Sequence, residues 1–221
     1  MVGSRLDSRH LRQLVEQGTP VVLCNMDSQV IEVDTVVTDN AGGGYQATRY
    51  LLELGHRRIG CVAGPTWFET CSERVEGYRR ALGESDVLRG EDLVVRGDFD
   101  GRGGFDAMNL LLDLDEPPTA VFACNDLMAF GAICAASKRR LMIPQGIAIV
   151  GCDDIALSAF TNPSLTTVAM PKHEMGSTAV EMLVARIEDG SKPVERRVLP
   201  VELVVRDSCG GAFRSGGGGI G

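Results

Sequence analysis

No run of about eighteen apolar residues occurs in this chain, so no segment reads as a membrane-spanning helix. The stretch Met1 to Arg12 is mostly polar and has no apolar signal core, so the chain is expected to be cytoplasmic. Positive charge is scarce as well. Lys and Arg number 22 against 30 Asp and Glu, a formal net charge of −8, and the chain lacks the field that non-specific nucleic-acid binding needs. Its one basic cluster, Lys138-Arg139-Arg140, falls at the C-terminus of an expected helix, where it complements the helix dipole. The seven cysteines form no CxxC pair, which with no secretion signal points to buried reduced thiols. His10, His56 and His173 are far apart and suggest no metal site. The phosphate-binding GxGxxG and GxxxxGK[ST] loops and the GxSxG elbow are missing, and no cofactor is implied.

What the chain does have is most legible between Thr119 and Asp154. The apolar run Ala120-Val121-Phe122-Ala123 stops at Asn125-Asp126. A helix follows, with Leu127, Phe130 and Cys134 on one face. The turn Pro144-Gln145-Gly146 leads into a second apolar run, Ile147 to Val150, which stops at Gly151-Cys152-Asp153-Asp154. Two short, wholly apolar strands joined by a helix imply a parallel pair buried on both faces. Ligands bind outside the carboxyl ends of such strands, where Asn125 and Asp153 fall. Asn and Asp also cap helices and turns, and that structural role is the alternative at each position.

The same alternation runs through the rest. A short helix at Leu11, Leu14 and Val15 precedes a strand at Val21 to Cys24 and another at Val33 to Thr38. Asn40 opens a helix carrying Ala47, Leu51 and Leu54, and Gly42-Gly43-Gly44 near its start allow close packing. A strand at Arg58 to Ala63, a helix with Val75, Tyr78 and Leu82, a strand at Leu93 to Val95 and a helix with Phe105, Met108 and Leu112 follow. After an irregular loop at Ile155 to Ser164 come a strand at Leu165 to Ala169 and a helix with Met175, Ala179, Met182 and Leu183 inward. The last strand, Val198 to Val205, carries Pro200 and so belongs at an edge or bend. This is an α/β fold built on parallel sheet with right-handed crossovers.

Seven stretches in this order resemble the effector-binding core of the LacI/GalR transcription regulators: VDTVVTDN (33–40), ATRYLLELGHRRIGCVAGP (47–65), ERVEGYRRAL (73–82), PTAVFACNDLMAFGA (118–132), IPQGIAIVGCDDI (143–155), PSLTTVAMP (163–171) and LPVELVVRDS (199–208). The resemblance implies a periplasmic-binding-protein-like fold of two parallel-sheet α/β lobes with a cleft. Residues 1–38 plus 172–197 would form an incomplete N-terminal lobe, residues 39–169 plus 199–208 the C-terminal lobe, and residues 209–221 a disordered Gly-rich tail. It implies a sugar or similar small polar effector, lined by Arg74, Asn125 and Asp153, flanked by Thr70 and Phe99, and faced by Asn25 from the other lobe. It further implies a homodimer in the parent protein, with the loop around Phe160 a candidate contact. Operator DNA would be read only through a helix-turn-helix that this chain lacks. Met170 stands where members often have Gln, Asn25 where they often have Asp, and Cys152 replaces a common aromatic.

The chemistry of these residues suits a polyhydroxylated ligand. A guanidinium at Arg74 forks onto two hydroxyls or a carboxylate. Asp153 accepts from hydroxyls, Asn125 donates and accepts, and Phe99 or Trp67 covers an apolar ring face. The alternatives are a transporter's solute-binding protein, which would need a signal peptide, and a phosphotransfer enzyme, because Asp98-Phe99-Asp100-Gly101 resembles a DxDG corner. A chain with no reading helix should give no sequence-dependent shift with operator DNA in a gel; a shift that depends on sequence would contradict the reading.

Overall fold

A computed structural model describes residues 8–26, 31–85, 87 and 90–210. The chain divides into two compact units, residues 1–39 with 171–200 and residues 40–170 with 201–221. Residues 211–221, most of the expected disordered tail, lie outside the described residues. The expectation fails at Cys209, which is 3% exposed and in hydrogen-bond contact with Thr166.

The second unit is a doubly wound sheet. Its strands are β3 (Ile59–Ala63), β4 (Val94–Arg96), β5 (Ala120–Ala123), β6 (Ala148–Asp153), β7 (Thr166–Ala169) and β9 (Glu202–Val204). Their order is β4-β3-β5-β6-β7-β9, parallel throughout except that β9 runs antiparallel to β7 at the edge. The strand at Leu93 to Val95 begins one residue later than expected, because Leu93 closes a 3-10 turn. β3 and β5 are buried at every residue, which is why their sequences show no polar alternation. Burying a side chain such as Phe122 or Ile149 fully contributes roughly 1.5–3 kcal/mol.

Helices α2 (Asn40–Glu53) and α3 (Glu69–Gly83) pack together, as do α4 (Gly101–Leu112) and α5 (Asp126–Lys138). Glycines set both spacings. A Cβ on Gly77 would lie 1.9 Å from the Ala41 carbonyl oxygen, and one on Gly131 2.0 Å from that of Gly101. This corrects the reading of α5. Leu127 and Cys134 are on its exposed side, and its buried face is Met128, Ala129, Gly131, Ala132, Ala135 and Ala136. Close approach to α4 selects small residues there, which an apolar-periodicity argument passes over.

The first unit holds α1 (Ser8–Glu16), α6 (Lys172–Glu188) and a parallel three-stranded sheet in the order β1 (Val22–Cys24), β2 (Asp34–Thr38), β8 (Arg196–Leu199). The expected strand at Val198 to Val205 is therefore two strands, β8 and β9, which belong to different sheets. Pro200 lies between them, where its missing N–H costs no ladder bond.

One ion pair organises this unit. Asp34 at the start of β2 is 4% exposed and meets Arg186 of α6 in a two-pronged contact, at 2.9 Å to Nε and 2.8 Å to Nη2. It also accepts from the Glu195 amide at 2.8 Å. Burial raises the Asp34 pKa, but the hydrogen bonds from Arg186 and the Glu195 amide, with the Arg186 charge, bring it below the ordinary value. The stabilisation is therefore present above the unfolded carboxylate pKa of about 4 and is lost as pH falls through the lower folded value. Asp34→Asn should cost about 3 kcal/mol near neutral pH and flatten the acid limb of the stability curve. Thermal melts across the acid range check this, and equal pH dependence in wild type and variant would contradict it.

Candidate functional site

The five parallel strands of the second unit end along one edge of their sheet. Chain order turns outward from β3 to β4 and then resumes on the other side of β3 at β5. That reversal is a topological switch point, and ligands of open α/β sheets bind outside the carboxyl ends there.

Arg74 stands at this point. It lies in the second turn of α3, is 3% exposed, and reaches across the strand ends. Its Nη1 lies 3.0 Å from Asp153 Oδ1 and donates to the Cys124 carbonyl at the end of β5. Its Nε donates to Asn40 Oδ1 at 3.0 Å, and its Nη2 lies 3.5 Å from Met170 Sδ. Asn40 in turn donates to Glu73 Oε2 at 2.9 Å. Burial opposes the guanidinium charge. The charge of the groups around it, the Asp153 carboxylate among them, acts the other way, and the net effect holds its pKa above the ordinary arginine value. Its position also depends on Gly44, where a Cβ would lie 2.0 Å from the Arg74 carbonyl oxygen.

Four carboxylate and amide positions of the strand ends take different roles. Asp153, the last residue of β6, keeps a side chain 28% exposed and has φ 119°. Asp154 follows at φ 48° and receives Arg206 Nη2 at 2.7 Å. Two successive non-glycine residues at positive φ are a strained backbone, and the Asp153 carboxylate that they carry faces Arg74. Asp126 is fully buried and structural. It accepts from Thr167 Oγ1 at 2.5 Å, Ser158 Oγ at 2.7 Å and the Ile155 amide at 2.9 Å. Asn125 caps α5 through the Met128 amide at 2.8 Å and donates to the Phe99 carbonyl at 2.9 Å. Its amide is thus engaged on both sides, which is the structural role open to it in the sequence.

Phe99, past the end of β4, has φ 65° and is half-buried in an edge-on contact with Phe68, ring centroids 4.6 Å apart. Thr70 is half-buried four residues before Arg74 and so on the same side of α3. Trp67, on the loop after β3, is 61% exposed. The structure thus brings Arg74 and Asp153 into contact, joins Asn125 to Phe99, and sets Thr70 beside Arg74. Asn25 belongs to the first unit. It follows β1 at φ 55°, and its buried Oδ1 has no hydrogen-bond partner among the described residues. Sequence reasoning missed Asn40 as a partner of Arg74, reading it only as the start of a helix, and the Cys124 carbonyl leaves no sequence signal.

The thiols beside Arg74 add bulk rather than charge. Burial pushes Cys152 up to about 12, with Arg74 opposing, and a hydrogen bond with Cys124 followed by burial pushes Cys71 up. Both are protonated at neutral pH. Among the described residues no group of three His, Cys, Asp or Glu is placed to hold a metal ion. Two surface hollows, one beside Arg49, Arg57 and Val87 and one beside Pro118, Thr119 and Arg139, are flanked by residues that precede strands, at the other end of the sheet.

The profile of the periplasmic binding protein-like domain matches residues 48–209. The chain is 32% identical to a LacI family transcriptional regulator from Enterococcus faecium with bound ribose, covering 91% of this chain and 75% of that one at a TM-score of 0.83. The chain belongs to the LacI family. Another solved neighbour, a complex of the transcriptional regulator CelR with cellobiose, is 38% identical at a TM-score of 0.86, over 91% of this chain and 62% of that one. Among curated relatives, the HTH-type transcriptional repressor CytR of Escherichia coli K12 is 37% identical over 94% of this chain. The repressor PurR of Aliivibrio salmonicida is 39% identical over 93% of it. This LacI-family chain spans 61% and 62% of the length of those two relatives.

Gly44→Ala should destabilise this LacI-family chain by about 1–3 kcal/mol, since the Arg74 backbone has to move. Gly176→Ala, at a helical site with nothing within 4 Å of a new Cβ, should instead stabilise by roughly 0.5–1 kcal/mol. Denaturant melts compare the two, and equal effects would contradict the close-packing account.

Proposed function

We propose that this chain is the effector-sensing portion of a LacI-type transcription regulator, and that it takes a sugar or similar small polar ligand at the carboxyl edge of the second unit's sheet. The observation that carries the reading is the Arg74–Asp153 pair, 3.0 Å apart at the switch point, with Asp153 still partly open to solvent. A rigid fork of donors beside an accessible carboxylate matches neighbouring hydroxyls. Arg74 and Asp153 are the central contacts, with Thr70, Phe99 and Asn125 around them. The solved relatives with bound ribose and cellobiose support a sugar-like ligand.

The relatives named as HTH-type repressors support operator DNA as a partner of the whole protein through a helix-turn-helix. We read the parent as a cytoplasmic homodimer. Phe160, 82% exposed, and Leu157, 53% exposed, support a contact at that loop. Binding rather than catalysis is also favoured by Asp100, the second acid of the enzyme-like corner. Its Oδ1 caps α4 by accepting from the Gly103 amide at 2.7 Å. A solute-binding role is not favoured by relatives that are regulators.

A thermal-shift panel of sugars and sugar phosphates, including ribose and cellobiose, tests the reading. A ligand at about 100 times its Kd stabilises by roughly 2.7 kcal/mol, a rise of about 5–10 °C for a chain of this size. The rise should vanish in Asp153→Asn and in Arg74→Lys. A panel without any stabilising member, or a shift that survives both substitutions, would overturn the proposal.

A further inference from the structure

A guanidinium only donates hydrogen bonds, and an ionised carboxylate only accepts them. At Arg74 the donors are met unevenly. Nε is taken by the Asn40 amide oxygen at 3.0 Å, and Nη1 is shared between the Cys124 carbonyl and Asp153. Nη2 carries two hydrogens, and its one partner among the described residues is the Met170 thioether at 3.5 Å. A thioether sulfur is a weak acceptor. One nitrogen of a charged group that is 3% exposed is thus left without an oxygen, close to a carboxylate that is still partly open.

Two kinds of ligand oxygen can meet Nη2, and Met170 tells them apart. A hydroxyl accepts from Nη2 but brings a hydrogen of its own, which needs an acceptor once it is out of water. Half-buried Met170, the neighbour of Nη2, offers that hydrogen only a sulfur. An ether oxygen accepts and brings no hydrogen to place. Asp153, at Nη1, sets the opposite requirement, because a carboxylate is met by a hydroxyl and repelled by the lone pairs of an ether. The pair therefore asks for an ether oxygen next to a hydroxyl. A free cyclic sugar carries both on one atom, its hemiacetal carbon, as the ring oxygen and the anomeric hydroxyl. A glycoside has lost that hydroxyl, and an open-chain sugar alcohol has lost the ring oxygen.

We propose that Met170 is a specificity-determining residue: by leaving Nη2 without an oxygen acceptor, it selects the hemiacetal end of a free sugar, with the ring oxygen at Nη2 and the anomeric hydroxyl on Asp153. The inference rests on the reading of this edge as the ligand site and narrows its ligand class. A glutamine at this position would supply an amide oxygen to Nη2 or to the hydrogen of a hydroxyl. Either use removes the preference for an ether, and neighbouring hydroxyls elsewhere on a sugar then serve as well.

The test is a matched binding series on the whole chain, measured by titration calorimetry. Its members are ribose and cellobiose, their methyl glycosides, and the sugar alcohols ribitol and cellobiitol. In the wild type at least one free sugar should bind, with its glycoside and its alcohol weaker by roughly tenfold or more, the effect of one lost hydrogen bond to a charged group. Met170→Gln should narrow the gap between free sugar and glycoside to about threefold or less. Met170→Leu, which keeps an apolar side chain of similar volume, should leave the gap at its wild-type value. A merely structural role would weaken every member alike and leave the ratio unmoved. A wild-type protein that binds the glycoside or the alcohol as well as the free sugar overturns the proposal and leaves the site reading standing. So does a gap that survives Met170→Gln or closes in Met170→Leu. A series in which no member binds overturns both. Where Met170→Gln fails to fold, the wild-type series and Met170→Leu decide.

Discussion

A full positive charge held out of water is the constraint that the second unit is built around. A buried ion costs several kcal/mol even after the protein relaxes, and it persists only where its donors are met. Arg74 meets this requirement with partners from four separate places: the end of β5, the end of β6, the start of α2 and the residue after β7. No one of these is local to α3. The guanidinium therefore registers the sheet order and the α2–α3 spacing at once, and the glycines at 44 and 77 follow from the distance it must span.

The same arrangement explains why this edge is fit to bind. Most polar atoms at the strand ends are already committed. Asp126 is closed around Ser158 and Thr167, Asp154 is paired with Arg206, and Asn125 caps a helix. Asp153 combines a charge partner with solvent access. Its orientation is held by Arg74 at 3.0 Å, so under the proposed reading little ordering would be left to be done on binding a small hydroxylated ligand.

Legibility in the sequence followed burial. The apolar runs of β3, β5 and β6 announced themselves because both faces of a central parallel strand are covered. The two positions expected to converge, Arg74 and Asp153, do meet. Other features were hidden for physical reasons. Gly and Ala on α5 make its inner face look unremarkable, although the tight α4 contact demands them. The Val198 to Val205 run looks like one strand, since nothing in its apolar pattern tells that Pro200 separates two sheets. Asn125 reads as an equal of Asp153 until its hydrogen bonds are seen. The Cys124 carbonyl is backbone and leaves no trace in residue identity at all.

The most direct test of the account is the side-chain NMR signal of Arg74, assigned by its loss in Arg74→Lys. A guanidinium fixed by Asn40 and Asp153 should show a separate Nε–H resonance, slow to exchange with water. That resonance should move when a ribose- or cellobiose-type sugar saturates the protein. A resonance that exchanges like free arginine, or that stays in place while such a sugar is bound, would show that recognition happens elsewhere.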